Sequence, residues 1–416
     1  MPLKVPYFEK PLDKFWLLNT DISSIFRPHS PTLPQRRHVY KANNQVNGNR
    51  PVEIGYELSC VGLSMRRPLY GLSEPAWNPP LSMRLVPYEE NKNSFTAKQV
   101  NDLLEDKTLP FHQELTVNTL DSNYCSPEYI VDTYKQPNLV NIIRMPSNRN
   151  VWKKLSEEEV SQRRTENADQ RGANSVYGTL YKLKEVDSWD LEADIETCFG
   201  IKLSNGKSCS VSIKIWEEMM IRTQRGKSMK DKPFRLVRVQ LLDSTTGKPL
   251  FKKCMWLCVW GERRMELRAE EIYWAYRNRY DIEHFFRFGK QRLLLDKYQT
   301  PDEEHFQNWM EVVNLAYWLL VVGKQEASHM IHKWQQYDKN YKNRVQYKMQ
   351  KTPSQVQLQL SGIILGFDQE DFLPKLQIKG KGRKVGQTQP KRKKFPVLKK
   401  KKKKKKKKSR RTRKKK

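Results

Sequence analysis

Two short strand-like runs, roughly a hundred residues apart, each lead into an aspartate. Phe15-Trp16-Leu17-Leu18 is followed by Asn19-Thr20-Asp21, and Leu115–Leu120 (LTVNTL) is followed by Asp121. Runs this short, without helical period, read as buried strands that end on a carboxylate. Between them, Pro51–Met65 (PVEIGYELSCVGLSM) reads as further strand. Phe95–Glu105 (FTAKQVNDLLE) has helical apolar spacing behind a Ser94 cap. Ser126-Pro127-Glu128 starts a short helix with a capping hydroxyl, a proline at the first position and an acid in the first turn. Leu139–Met145 (LVNIIRM) returns as strand. Strands and helices in this order predict an α/β fold with a mixed sheet.

The pattern changes after Pro146. Lys153–Arg171 is highly charged and carries no apolar stripe. Hairpin-like pairs follow: Gly200–Leu203 with Cys209–Trp216 around Asn205-Gly206, then Phe234–Leu242 with Leu250–Trp260 around Gly247. Residues 146–262 therefore read as a β-rich insertion, dividing a core that begins over 1–145 and is completed by helices over 263–340. Glu266–Leu295 reads as one helix. Thr300-Pro301-Asp302-Glu303 reads as a capping box with proline at the first helical position. It opens a helix whose apolar stretch Trp309–Val322 is expected in the core. A C-terminal segment, 341–374, precedes a polybasic tail, 375–416, that buries nothing and is expected to be disordered.

Charge is unevenly placed along the 416 residues. The tail holds 25 of the 78 basic side chains and no acid, including ten consecutive lysines; the other 374 residues hold 53 basic and 46 acidic side chains. Both parts favour a polyanionic partner, because lysine and arginine near phosphates release condensed counterions. The six cysteines (Cys60, Cys125, Cys198, Cys209, Cys254 and Cys258) include no C-x2-C pair, which argues against a zinc site. Cys254 and Cys258 fall in an apolar, strand-like run that suits buried thiols. The polar, proline-broken N-terminus is unlike a signal peptide, and the apolar run Leu315–Val322 is too short to span a membrane. A cytoplasmic, reducing compartment in contact with DNA is expected.

The chemistry concentrates in Tyr276–Lys290, YRNRYDIEHFFRFGK. At about 100° per residue, Tyr276, Arg279, Glu283 and Lys290 fall within roughly 60° of one another on a helical wheel. A phenol, a guanidinium, a carboxylate and an ammonium thus share one edge. The bland explanation is a surface stripe with an Arg279–Glu283 pair worth a few tenths of a kcal/mol. Against it stand the flanking aromatics and the two earlier acids at strand ends. His284 points about 100° off the stripe, so packing or hydrogen bonding suits it better than metal ligation.

Y-x2-R-x3-E-x6-K resembles the YREK signature of DDE transposases of the insertion-sequence-four superfamily. RYDIEHFFRFGKQRLLL, Trp309 and the Trp77, Pro80-Leu81, Arg84 stretch resemble its seven-oh-one-like branch. The resemblance covers roughly residues 12–330 and implies an RNase H-like mixed sheet flanked by helices, with a β-rich insertion before the third acid. It implies that Asp21, Asp121 and Glu283 are catalytic and bind metal; the rivals Asp132, Asp187 and Asp190 follow no buried strand so directly. Three hard carboxylates suit Mg²⁺ or Mn²⁺, and two ions about 4 Å apart serve both hydrolysis and strand transfer. Arg279 and Lys290 would neutralise phosphate charge, and Tyr276 would bond a phosphate or stack on a base. Trp256 and Trp260 are candidates for base stacking.

The implied partners are double-stranded DNA, as transposon ends and target, and a second copy of the chain in a synaptic homodimer. The implied setting is a bacterial cytoplasm, at the nucleoid. Relatives usually carry a helical end-recognising domain before the first acid, whereas twenty residues precede Asp21 here; loss of that domain is expected. An inactive DNA-binding relic, an RNase H-like nuclease and a simple basic DNA binder are the competing functions.

Overall fold

The computed structural model describes residues 14–30, 33–40, 52–65, 75–166, 176–203, 206–223, 226–329, 351–364 and 386. The tail (Gly386 apart), Asn205 and part of the 341–374 segment lie outside these residues.

Twelve strands among the described residues join in one mixed sheet. At its heart, β1 (Trp16–Phe26) runs antiparallel to β3 (Val52–Leu63) and parallel to β5 (Thr116–Leu120). Beyond β5 lies β6 (Leu139–Met145), again parallel; β2 (Arg37–Tyr40) and β4 (Pro80–Leu85) both pair with β3. The strand order and flanking helices follow the RNase H-like arrangement. Every residue of β5 is buried, as befits a parallel strand covered on both faces.

Past β6 the sheet continues through the segment expected to be β-rich. In chain order this comprises β7 (Asn150–Lys154), β8 (Tyr177–Lys182), β9 (Ile195–Lys202), β10 (Ser208–Met220), β11 (Phe234–Asp243) and β12 (Met255–Trp260). β12 closes onto β6 with Trp256 opposite Met145 and Trp260 opposite Asn141. Within the charged stretch after β7, Glu157–Glu166 forms a helix.

Side-chain alternation along β1 separates two layers. Trp16 and Leu18 pack with Val100 and Leu104 of helix α1 (Lys92–Glu105). Asn91, not Ser94, caps α1: its side chain accepts the Asn93 N–H, and the helix starts earlier than the apolar period suggests. Helix α2 (Pro127–Thr133) contacts α1, and α3 (Glu157–Glu166) follows β7. On the opposite face, Leu17 packs with Ile272 and Tyr273 of α4 (Ala269–Asn278). Ile25 and Tyr56 pack on the same face with Ile282 and Phe285 of α5 (Tyr280–Arg292) and Phe306 of α6 (Glu303–Val322). Helices α7 (Lys324–His329) and α8 (Pro353–Ile364) complete that side.

The helix expected over Glu266–Leu295 is broken at Arg279. Buried Asn19 on β1 donates from Nδ2 to the Asn278 carbonyl (3.1 Å), taking the acceptor that Ile282 would use in a continuous helix. The Ile282 N–H bonds to the Arg279 carbonyl instead, one residue tighter. Helix α6 also starts differently from the sequence expectation. The Thr300 hydroxyl accepts the Asp302 N–H, and Asp302 caps the helix through the His305 N–H. Pro301 therefore precedes the helix. Only part of the Trp309–Val322 stretch is core: Met310, Val313, Tyr317, Leu320 and Val321 are buried, whereas Val312, Leu315, Leu319 and Val322 are exposed. Among the described residues no helix is long and apolar enough to cross a membrane.

Candidate active site

Both acids follow an Asn-Thr pair, directly at Asp21 and one residue later, past Leu120, at Asp121, and these polar residues are fully buried. Buried polar groups need partners, and here they find one another. Thr20 donates to Asn118 (2.8 Å), Thr119 donates to Asn19 Oδ1 (2.6 Å), and Asn118 donates to the Tyr129 hydroxyl (2.9 Å). Tyr129 donates in turn to Asn141 on β6 (3.1 Å). The network locks β1, β5 and β6 in register, and through Asn19 it fixes the α4–α5 junction. Asn19→Ala is expected to cost about 1–3 kcal/mol in a urea melt, because it strands buried partners. An unchanged midpoint would show the network to be dispensable.

Asp21 lies in the middle of β1, not at its end as the sequence suggested. The parallel partner β5 stops at Leu120, so the chain from Asp21 onward pairs only with β3, opposite Cys60. The carboxylate therefore sits where the neighbouring strand ends. Its Oδ1 accepts the Ile22 N–H (2.8 Å). Asp121 follows β5 directly and caps a short turn, accepting from the Asn123 N–H (2.9 Å) and side-chain amide (2.7 Å).

Arg279, at the helix break, joins β1 to α5. Its Nη1 donates to Asp21 Oδ2 (3.2 Å) and its Nη2 to Glu283 Oε1 (2.7 Å). Burial and then repulsion from Asp121 push the Asp21 carboxyl up to about 6, despite the opposing pull of Arg279. Burial works against the Arg279 charge, but Tyr276, Asp21 and Glu283 outweigh it and hold the guanidinium above its ordinary value. Tyr276 is buried, and burial pushes its phenol up to about 12.

The structure thus brings together Asp21, Arg279, Glu283 and the field of Asp121. Lys290 is placed differently: its Nζ donates to the Ser24 carbonyl (2.9 Å), and burial lowers its pKa. Trp256 and Trp260 are 2% and 1% exposed, so as they stand neither can stack a base. His284 is exposed and sets its ring edge-on to Tyr280, 4.9 Å between centroids. Among the described residues no three His, Cys, Asp or Glu side chains converge on a single ion position. Asn19, whose role sequence reasoning missed, had one signal: an amide directly after the apolar run Phe15–Leu18.

Residues 79–319, more than half of the chain, match the transposase DDE domain. The chain belongs to the family of transposases with a DDE domain, and its function is that of a DNA transposase. Asp121, Arg279 and Glu283 lie inside the matched stretch and Asp21 ahead of it. A search of curated proteins found no match.

Proposed function

We propose that this chain is a cut-and-paste transposase of the YREK-bearing insertion-sequence-four superfamily, with Asp21, Asp121 and Glu283 as its catalytic acids. The observation that carries this reading is the Arg279 fork between Asp21 and Glu283, on a strand and a helix far apart in sequence, with Asp121 pressing on the same half-buried Asp21 carboxylate.

The donor set fits Mg²⁺ or Mn²⁺ pairwise, with no need for three ligands to meet at one point. Asp21 feels both Asp121 and Glu283, so it can be shared between two ion positions. Magnesium keeps several waters and needs only one or two carboxylates at each position, with phosphate oxygens supplying others. Desolvation first, and then repulsion from Asp121, disfavours the bare Asp21 carboxylate, and a cation bound there would relieve both. When bound, two such ions would activate the attacking oxygen and stabilise the leaving one. Arg279 then has a second use, because a guanidinium released from the acids presents its fork to a phosphate. Lys290 holds positive charge beside β1, and Tyr276 braces Arg279 from behind. Two transposon ends call for two such centres, so the working unit in this reading is a pair of copies.

The test is cleavage and strand joining on DNA carrying the element's ends. Mg²⁺- or Mn²⁺-dependent nicking followed by joining of a 3′-hydroxyl to a second duplex is expected. Nicking without joining would favour a nuclease instead. The 25 positive charges of residues 375–416 carry a separate expectation. Cutting the chain after Pro374 should weaken binding to end and random duplexes alike. It should also flatten the salt dependence by about 0.9 in log–log slope for every phosphate that the tail neutralises. A titration over several salt concentrations checks this, and an unchanged slope would mean that the tail does not touch DNA.

A further inference from the structure

Helix α5 carries a second polar stripe. Tyr280, His284, Arg287 and Gln291 recur at four, three and four residues and lie roughly 80° around the helix from the Arg279–Glu283–Lys290 edge. All four are exposed. They form one wall of a cleft of about 890 Å³, which Tyr276 and Arg279 also line, so the cleft opens beside the acids. Arg144 of β6, Arg277 and Arg292 add to the lining, and Asp281, buried, is the only carboxylate among its described lining residues.

Several arginines outside the cleft are neutralised: Arg37, Arg263 and Arg264 each hold a glutamate. Among the described residues, Arg144, Arg287 and Arg292 make no ion pair, although all three are exposed. Arg144 stands close enough to Tyr276 to favour its ionised phenol, which places that guanidinium at the catalytic end of the cleft. Unpaired guanidinium groups along a cleft, interleaved with exposed aromatic rings, are what a nucleic-acid strand requires: charge for the phosphates and flat surfaces for the sugars and bases.

We propose that this cleft carries the DNA strand leading away from the scissile phosphate, gripped at successive phosphates by Arg144, Arg287 and Arg292. The inference rests on the transposase reading above and adds the path of the substrate. It also assigns different work to the two stripes of α5, one meeting the reacting phosphate and the other holding the strand beyond it.

The test uses the full chain and does not depend on cleavage. Arginine-directed dicarbonyl modification, read by peptide mass with and without a short end-bearing duplex, should show Arg144, Arg287 and Arg292 protected at least about threefold. Exposed Arg84 on β4, paired with Asp102, serves as the control and should react equally in both. Arg144→Ala/Arg287→Ala/Arg292→Ala should lower the log–log salt slope of binding by about 2–3, at about 0.9 for each phosphate released. It should also raise KM for DNA, with kcat within about twofold. Protection no greater than at Arg84, or an unchanged slope, overturns the proposal. If the wild type fails to cleave but the three arginines are protected, the catalytic reading falls and the cleft assignment stands. If the wild type cleaves and they are unprotected, the reverse holds.

Discussion

Replacing Asp21, Asp121 or Glu283 with alanine is expected to abolish metal-dependent strand cleavage, one residue at a time. Each substitution removes an oxygen donor from positions where charge develops in the transition state. Metal-mediated stabilisation of several kcal/mol corresponds to about a thousandfold or more in rate. Asp21→Asn separates chemistry from folding. It deletes a half-buried negative charge that desolvation and Asp121 already disfavour, so in chelated buffer it should melt no lower than the wild type while remaining inactive. Wild-type cleavage by any of the three alanine variants on a pre-formed end substrate would remove that residue from the assignment.

Arg279 is expected to show the next largest effect, with a different signature. Arg279→Ala leaves Asp21 and Glu283 without the guanidinium that spans them, 3.2 and 2.7 Å away. Cleavage should fall by about a hundredfold, the roughly 3 kcal/mol typical of losing one pre-placed donor to developing charge. Arg279→Lys should recover only part of this, because a point charge cannot fork between two carboxylates and then meet a phosphate in the same way. Full activity in Arg279→Ala would reduce the stripe to an ordinary helix surface. Full rescue by lysine would show that charge alone matters.

The legible parts of this fold were those governed by local rules. β5 and β6 fall where the short runs LTVNTL and LVNIIRM place them, because central parallel strands are buried on both faces. The hairpin between β11 and β12 follows from its strand-forming runs and the positive φ of Gly247. Misreadings arose where a distant residue decided the local outcome. Asp21 looked like the end of a strand because a carboxylate rarely continues one, and nothing nearby signals that Arg279 neutralises it. The break between α4 and α5 has no proline or glycine to announce it; its cause is an amide on β1. On α6 an apolar run suggested burial all round, whereas the sheet covers only one side of the helix. The Tyr276–Lys290 pattern was readable as a stripe, but its neighbour lined with arginines resembles any solvated face until β6 brings Arg144 alongside.

The hydrogen bond from Asn19 to Asn278 spans 259 positions, and the bond from Arg279 to Asp21 spans 258. Pairings of such sequence separation form late, since the intervening chain must first be ordered for loop closure to be favourable. During synthesis the two aspartates emerge long before the glutamate, and everything from β7 to β12 is made between them. A nascent chain that has reached only β12 can pair most of its strands but holds two acids without their third member and without the guanidinium. With these three acids as the proposed catalytic set, nuclease competence would be acquired late, in the step that docks the α4–α5 junction on β1.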